Sequence, residues 1–427
     1  MQSKIQNDDP VFAKCAWRLI PFVILLFAVN FLDRVNVGFA ALTMNRDLGF
    51  SPSIYGFAAG VFFIGYFAFE VPANLILTRV GARRWIFSII LAWGAVSASC
   101  ALVQDASTFY VLRFLLGVAE AGFFPGIIFY LTLWFPEAYR GRLMAAFFTA
   151  NPIASVIGGP LSGWILGTDG FLGLHGWQWL FLIEGVPACV LAFLVLKVMP
   201  DTPAHAPWLS GSEKETIARR LAAEDSGKDH ALLPALIDPK VIMLSVALIG
   251  IQSAIFGLGL WLPQIVQSKG FSNLETGFVV AIPYGLSILA LILLGRSSDK
   301  SGDRVGHVAL AVLVSAAGLF AASVAPSDLL VLVALTFAVI GAVAVLGPFW
   351  TLPPSFLKGT AAAGGIALIN AIGSLGGFFA PTIIGVLKQE TGSYSSGLAV
   401  MAAGLIVSIM IILFLRKTLP ARKPQWT

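Results

Sequence analysis

Residues 78–84 read Thr-Arg-Val-Gly-Ala-Arg-Arg, and residues 295–304 read Gly-Arg-Ser-Ser-Asp-Lys-Ser-Gly-Asp-Arg. Both segments are short and charged, and each follows a long apolar stretch. Gly81 and Gly302 are 221 residues apart, close to half of the 427-residue chain. In each segment glycine permits a tight turn, and the charges can pair with neighbouring helix ends. One basic loop needs no special explanation, but two in register indicate a chain that repeats itself.

The composition indicates that lipid surrounds most of the chain. Hydrophobic residues make up 58% and charged residues only 11%, whereas a soluble domain carries about 25% charged residues. A membrane-spanning helix needs roughly 20 mostly apolar residues. We therefore predict an all-α membrane protein with twelve transmembrane helices in two six-helix bundles, residues 1–199 and 240–427, joined by a polar cytoplasmic linker, residues 200–239. The predicted spans are 17–38, 53–76, 84–104, 107–132, 142–166, 177–198, 240–265, 275–295, 306–324, 328–351, 361–386 and 394–416.

The distribution of lysine and arginine predicts the orientation. With a cytoplasmic N-terminus, 22 of the 27 basic residues fall in cytoplasmic segments, and the external loops hold only Arg46, Lys269 and Lys388. This asymmetry places both termini in the cytoplasm of a bacterial inner membrane. It also argues against a nucleic-acid partner, because the basic residues lie in loops and not on one soluble face. The first apolar run starts at Trp17 and shows no cleavage site, so we expect it to be retained as a spanning helix.

Four ionisable residues lie inside predicted helices of the first half. Asp33 and Arg34 are in helix 1, and Arg113 and Glu120 are in helix 4. Counted from the predicted outer helix ends, Asp33 and Arg113 have similar depth, and Glu120 lies two turns, roughly 10 Å, beyond Arg113 on the same face. A buried charge is costly in a membrane, so such residues usually serve a function. The alternative is a buried ion-pair network that only fixes helix packing, although such pairs stabilise poorly.

The paired loops resemble the signature of the major facilitator superfamily, although Thr78 stands where that family usually has aspartate. Further segments resemble the anion:cation symporter branch of the superfamily, and within it the tartrate-transporter-like members. These segments are Phe31-Leu32-Asp33-Arg34-Val35-Asn36, Glu120-Ala121-Gly122-Phe123-Phe124-Pro125-Gly126, Trp177-Gln178-Trp179-Leu180-Phe181-Leu182-Ile183-Glu184-Gly185 and Ile369-Asn370-Ala371-Ile372-Gly373-Ser374-Leu375-Gly376-Gly377.

The resemblance implies a proton-coupled symporter that imports a small organic anion by alternating access. A hydroxylated carboxylate or dicarboxylate, such as tartrate or a sugar acid, is the implied substrate. Asp33 and Glu120 would be the proton carriers, and Arg34 and Arg113 would be partners for the network and for the charge of the substrate. Asn370 matches a family position that hydrogen-bonds sugar-acid hydroxyls. The alternatives are an aromatic-acid importer on the same fold, or a uniporter or anion exchanger without proton coupling.

The second half has no acidic or basic residue in the middle of a predicted helix, so we expect it to supply neutral contacts. The candidates are Gln252 and Trp261 on helix 7, Trp350 on helix 10 and Asn370 on helix 11. Trp350 could equally belong to an interfacial aromatic belt. In the first half, Tyr66 and Asn151 are the polar candidates, and Asn151 could also serve packing alone.

Two further acids have open roles. Glu70 in helix 2 is expected to pair with a cytoplasmic arginine, and Glu184 in helix 6 is expected to form a gating or packing pair, with a second coupling role as its alternative. The sequence shows no metal-ligand cluster, nucleophile elbow or phosphate loop, so neither an enzyme nor a cofactor is predicted. Cys15, Cys100 and Cys189 show no metal-ligand spacing. We expect a monomer whose partners are the anion, protons and the lipid bilayer.

Overall fold

The computed structural model describes residues 2–136, 139–140, 143, 147, 149–225, 236–357 and 359–418. Nearly all of them are helical and none is in a strand, which confirms the predicted all-α architecture. We number the twelve membrane helices α1–α12. They are α1 Gln2–Asp47, α2 Pro52–Val80, α3 Ala82–Ser99, α4 Ala106–Glu120 with Phe123–Trp134, α5 Ala150–Ile165, α6 Gly176–Val198, α7 Pro239–Gln267, α8 Asn273–Ser301, α9 Arg304–Val324, α10 Asp328–Ala344 with Leu346–Phe349, α11 Gly359–Ser374 with Gly376–Thr391, and α12 Ser395–Leu415.

Within the described residues, eleven of these helices are long and apolar enough to cross a membrane. The exception is α5, whose described part has 16 residues. Its predicted span starts at residue 142, and several residues of that first stretch lie outside the described part of the chain. A separate linker helix, Gly211–Asp225, lies between the two halves.

The predicted bounds of the first helix, 17–38, were wrong at both ends. Helix α1 runs from Gln2 to Asp47. Beyond residue 38 the chain remains apolar, and Ala40 and Met44 are completely buried. Protein packing therefore extends the helix past the length that the membrane requires, and a limit of about 20 residues truncates it.

The two halves meet along three main helix pairs, α2 with α11, α5 with α8 and α1 with α7. Glycine allows the backbones to approach closely in the first two pairs. A Cβ on Gly56 would lie 2.4 Å from the carbonyl oxygen of Pro381, and a Cβ on Gly159 would lie 2.6 Å from that of Gly277. The hydroxyl of Tyr55 donates a hydrogen bond of 2.7 Å to the carbonyl oxygen of Leu260. These contacts close the halves against each other at the predicted external end.

At the opposite end, the linker contacts the first half. Lys14 Nζ lies 2.9 Å from Glu213 Oε1, and a hydrogen bond from the backbone N–H of Ser210 holds the pKa of Glu213 below its usual value. Trp208 stacks on Trp134 with 5.6 Å between ring centroids. The part of the linker that the structure describes therefore packs on α1 and α4.

Candidate functional site

An interruption of α4 places Glu120 at the end of a helical segment. The first segment ends at Glu120 and the second begins at Phe123. Pro125 cannot donate the backbone hydrogen bond that would otherwise reach the carbonyl of Ala121, so a break is favoured one turn before the proline. Glu120 is completely buried. The local sequence thus places an acidic side chain inside the first bundle.

Two side chains of α1 bind this carboxylate. Arg34 Nε lies 2.6 Å from Glu120 Oε2, and Asn30 Nδ2 donates to the same oxygen at 2.8 Å. Asn30 and Arg34 are four residues apart, so they share one helix face. The other oxygen, Glu120 Oε1, has no hydrogen-bond partner among the described residues. The structure therefore brings Arg34 and Glu120 together, while one carboxylate oxygen stays available.

Arg113 is the second buried arginine of the bundle, and it is 0% exposed. None of its three guanidinium nitrogens has a hydrogen-bond partner within the described part of the chain. A buried charge without hydrogen bonds is strongly unfavourable unless a partner arrives from outside. The guanidinium fork matches the two oxygens of a carboxylate. Arg113 can therefore bind an anion without first breaking an ion pair.

Aromatic rings of α2 connect the two arginines. The guanidinium carbons of Arg34 and Arg113 lie 5.6 Å and 5.1 Å from the ring centroid of Phe62. Arg34 also lies 4.8 Å from the ring centroid of Tyr66. Contact distances of this kind allow cation–π attraction. Gly117 on α4 lets α2 pack closely at this point, because a Cβ there would lie only 1.9 Å from the Phe62 carbonyl oxygen.

Asp33 is also completely buried but has different neighbours. Its Oδ1 accepts a hydrogen bond of 2.8 Å from the hydroxyl of Ser97 on α3. Both Asp33 and Arg113 are described, yet they form no ion pair. The equal depth inferred from the predicted end of α1 therefore does not produce a direct contact. The structure instead joins Asp33 to α3.

One hydrogen bond connects the site to the second half. Asn370 Nδ2 on α11 donates to Glu70 Oε1 on α2 at 2.9 Å, and both side chains are buried. Glu70, which the sequence suggested would pair with a cytoplasmic arginine, therefore also makes a contact across the two halves. The same contact brings Asn370 to the helix that carries Tyr66, one turn from Glu70.

The other candidates of the second half lie on α7 and at the end of α10. Gln252 is half-buried on α7, and Trp350 packs edge-on against Phe349 at the end of α10. The indole N–H of Trp261 donates to the carbonyl oxygen of Pro381 at 3.2 Å. Trp261 therefore belongs to the packing between α7 and α11 and is not exposed to a substrate in this conformation.

Asn151 and Glu184 each line a separate small cavity between the halves. Asn151 shares its cavity with Tyr284 and apolar side chains, and its Oδ1 has no partner in the described residues. Glu184 Oε1 accepts a hydrogen bond of 3.0 Å from Ser162 on α5. Neither side chain joins the arginine cluster.

Sequence reasoning missed three members of the site. Asn30 could have been found, because it precedes Arg34 by one helical turn on the same face. Phe62 and Ser97 gave no signal, since apolar and small hydroxyl side chains are common throughout membrane helices. In the described residues, no group of three or more His, Cys, Asp or Glu side chains could hold a metal ion.

Comparisons with known proteins agree with this architecture. The family model of the Major Facilitator Superfamily matches residues 23–381. The chain is similar to "Putative tartrate transporter" of Agrobacterium vitis, with 49% identity over 97% of this chain and 96% of that protein. It is also similar to "Quinolone resistance transporter" of Acinetobacter baumannii, with 42% identity over 95% of each chain.

Among solved structures, the fold is similar to that of a D-xylose-proton symporter, with 16% sequence identity and a TM-score of 0.76 over 96% of this chain and 99% of that one. At this identity the likeness shows the fold alone. The family model and the sequence relatives confirm the resemblance that the motifs suggested. This multi-pass membrane protein is a transporter of small organic substrates and not an enzyme. With its twelve helices, its two bundles and a family match that spans most of its length, the chain belongs to the Major Facilitator Superfamily.

Proposed function

We propose that this protein is a proton-coupled symporter that imports a small hydroxylated organic anion, such as tartrate or a sugar acid. One observation carries the proposal: Arg113 is completely buried and has no hydrogen-bond partner among the described residues. A carboxylate can supply the missing partner with two parallel hydrogen bonds. Arg34, which lies beside the same aromatic ring, has no hydrogen-bond partner for its terminal nitrogen Nη2 within the described residues. A second carboxylate of the substrate can bind there.

The proton is assigned to Glu120, with Asp33 as a second carrier. Asp33, Glu120 and Glu184 are buried within the described membrane helices, and among the described residues only Glu120 of these three forms an ion pair, with Arg34. Burial of a carboxylate without a counter-ion favours its neutral form, and a nearby arginine favours its charged form. An anion that binds the arginines would compete with Glu120 for Arg34. Binding of the anion then favours protonation of Glu120, which gives symport.

The nature of the substrate rests on two features. The relatives at 49% and 47% identity both carry the name "Putative tartrate transporter". Neutral hydrogen-bonding groups also lie near the arginines: Tyr66 on α2 lies against Arg34, and Asn370 on α11 bonds Glu70, one turn from Tyr66. Such groups favour hydroxylated acids, because an analogue that lacks the hydroxyl leaves them unpaired. A monomer suffices for this function, since a single chain contains the complete cluster.

The orientation follows from the charge distribution of the loops, with both termini in the cytoplasm. Under this assignment, the contacts of Tyr55 with Leu260 and of Gly159 with Gly277 close the external side. Uptake requires these contacts to open, so that the two halves alternate around a fixed site.

Glu120→Gln tests the coupling. The amide keeps the shape of the side chain and can hydrogen-bond, but it cannot release a proton. In proteoliposomes we expect the variant to lose tartrate accumulation driven by a proton gradient, while exchange of tartrate across the membrane persists. Glu390→Gln, an exposed site near the end of α11, is the control and should behave as wild type. Full gradient-driven accumulation by Glu120→Gln would remove Glu120 from the coupling mechanism.

An aromatic carboxylate is a second candidate substrate. The arginines lie against the rings of Phe62 and Tyr66, which can stack on an aromatic acid. A relative at 42% identity carries the name "Quinolone resistance transporter". Competition of labelled tartrate uptake by unlabelled tartrate, succinate and phthalate separates the two. Stronger inhibition by phthalate than by unlabelled tartrate would favour the aromatic substrate.

A further inference from the structure

Glu184 lines a small cavity that the arginine cluster does not use. Its side chain is 6% exposed, and Ser162 satisfies only Oε1. The second oxygen, Oε2, has no hydrogen-bond partner among the described residues. A hydroxyl on one oxygen suffices for a packing contact but does not neutralise a buried carboxylate. The expected gating or packing role therefore leaves part of this group unexplained.

The cavity around Glu184 offers several oxygen atoms. Asn36 on α1 and Ser155 and Ser162 on α5 line it together with Glu184. Asn36 Oδ1 is buried and has no partner in the described residues. Ser155 donates to the carbonyl of Asn151, so its oxygen can still accept. Carboxylate, amide and hydroxyl oxygens are ligands for hard cations.

The charges around the cavity favour a cation over an anion or a neutral ligand. Tyr284 on α8 is the other titratable side chain in the lining. Asp33 on α1 lies next to the cavity, since it accepts a hydrogen bond of 3.5 Å from the lining residue Asn36. Within the described chain, no lysine or arginine forms an ion pair with Glu184 or Asp33. Arg34, the neighbour of Asp33 in sequence, binds Glu120 instead. Glu184 in the lining and Asp33 beyond Asn36 thus have no basic contact among the described residues.

The second half covers this cavity at a place where it packs tightly against the first. Gly259, Val280 and Tyr284 form the opposite wall. Beside them, a Cβ on Gly277 would lie 2.3 Å from the carbonyl oxygen of Gly159. When α5 and α8 separate, the wall moves away from Glu184. Access to the cavity is therefore linked to the opening of the halves at the predicted external end.

We propose that Glu184, Asn36, Ser155 and Ser162 form a second site for a small monovalent cation, a proton or a sodium ion, which is loaded when α5 and α8 separate. The proposal rests on the coupled transport proposed above and adds a cation site outside the Glu120 pair. A bound cation neutralises Glu184 before the halves close over it. An empty, charged site opposes closure, because the carboxylate then loses water without gaining a partner.

The test compares Glu184→Gln with wild type and with Ser315→Ala in proteoliposomes. Ser315 is a buried serine that bonds the Ala338 carbonyl oxygen within the second half, so its variant controls for the loss of an ordinary helix–helix hydrogen bond. Uptake of labelled tartrate is driven by a proton gradient at constant sodium, or by a sodium gradient at constant pH. Exchange without any gradient is measured on the same preparations.

We expect Glu184→Gln to lower gradient-driven uptake relative to exchange and to weaken its dependence on the cation that drives wild type. If the proton gradient loses its effect on Glu184→Gln, the site binds a proton, and if the sodium gradient loses its effect, the site binds sodium. An equal loss of both rates would show a packing role and overturn the proposal, as would wild-type cation dependence. If neither gradient drives wild-type uptake, the proposed coupling itself fails. If a gradient drives wild type and Glu120→Gln abolishes that effect while Glu184→Gln does not, only the second site fails.

Discussion

Gly277→Ala should hold the two halves apart at the predicted external end. A Cβ at this position would lie 2.3 Å from the carbonyl oxygen of Gly159, 2.8 Å from its carbonyl carbon and 3.0 Å from Pro160 Cα. Ordinary contact starts at 3.4 Å. The neighbouring atoms are backbone on both sides, so the two helices must part by about 1 Å to accept one methyl group.

The size of the effect follows from the cost of overpacking. Inserting a methyl group into a close-packed interface costs about 1–3 kcal/mol. The cost applies only when α5 and α8 are in contact, so it shifts the equilibrium between closed and open forms by about 5- to 150-fold. Gly285→Ala is the matched control on the same helix. Its Cβ would meet only Val156 Cγ2 at 3.8 Å, and it gains the same helix propensity.

Thiol labelling can report the change. Val280 lies in the covered cavity wall and is 3% exposed, so Val280→Cys is protected when the halves are closed. The background replaces the three native cysteines, Cys15, Cys100 and Cys189. We expect Gly277→Ala to accelerate maleimide labelling and to slow tartrate uptake, whereas Gly285→Ala changes neither. Equal labelling of the two variants, or wild-type uptake by Gly277→Ala, would refute the argument.

Three other predictions concern single side chains. Arg113→Lys should bind tartrate more weakly in calorimetry, because lysine lacks the planar fork, and unchanged affinity would move the carboxylate elsewhere. Asn370→Ala should narrow the preference for tartrate over succinate in competition uptake; a shifted pH profile with intact preference would instead link Asn370 to proton coupling through Glu70. Lys14→Ala removes the ion pair with Glu213, in which the lysine side chain is 46% exposed. The free energy of unfolding should therefore change by less than about 1 kcal/mol, and a larger change in thermal denaturation would contradict this.

The helices were predictable because a membrane imposes one simple requirement. Each span must be apolar over a known length, and the period of the repeat locates the two halves. The ends of the helices were less predictable where protein packing, and not the lipid, decides where a helix ends. The end of α1 is an example: Ala40 and Met44 are apolar and completely buried, and hydropathy does not distinguish burial in protein from contact with lipid.

The sequence was enough to select the charged residues of the site, but not to predict which residues they contact. Buried charges stand out in apolar sequence, so Asp33, Arg34, Arg113 and Glu120 could be selected in advance. Their pairing depends on helix rotation and tilt, which hydropathy does not encode. Arg34 therefore binds Glu120, while Asp33 bonds Ser97, and Arg113 bonds none of the described residues.

The contact between Asn370 and Glu70 bears on which half recognises which part of the substrate. A simple division gives charge recognition to the first half and hydroxyl recognition to the second. Yet Asn370 already donates to an acid of the first half, and Glu70 lies one turn from Tyr66, whose ring faces Arg34. Any separation of α2 from α11 at this depth breaks the hydrogen bond and leaves a buried acid without that donor. If Asn370 binds a substrate hydroxyl, as proposed, that hydroxyl would act on the closure of the halves as well as on specificity. A ligand shifts that equilibrium only by its difference in affinity for the two forms.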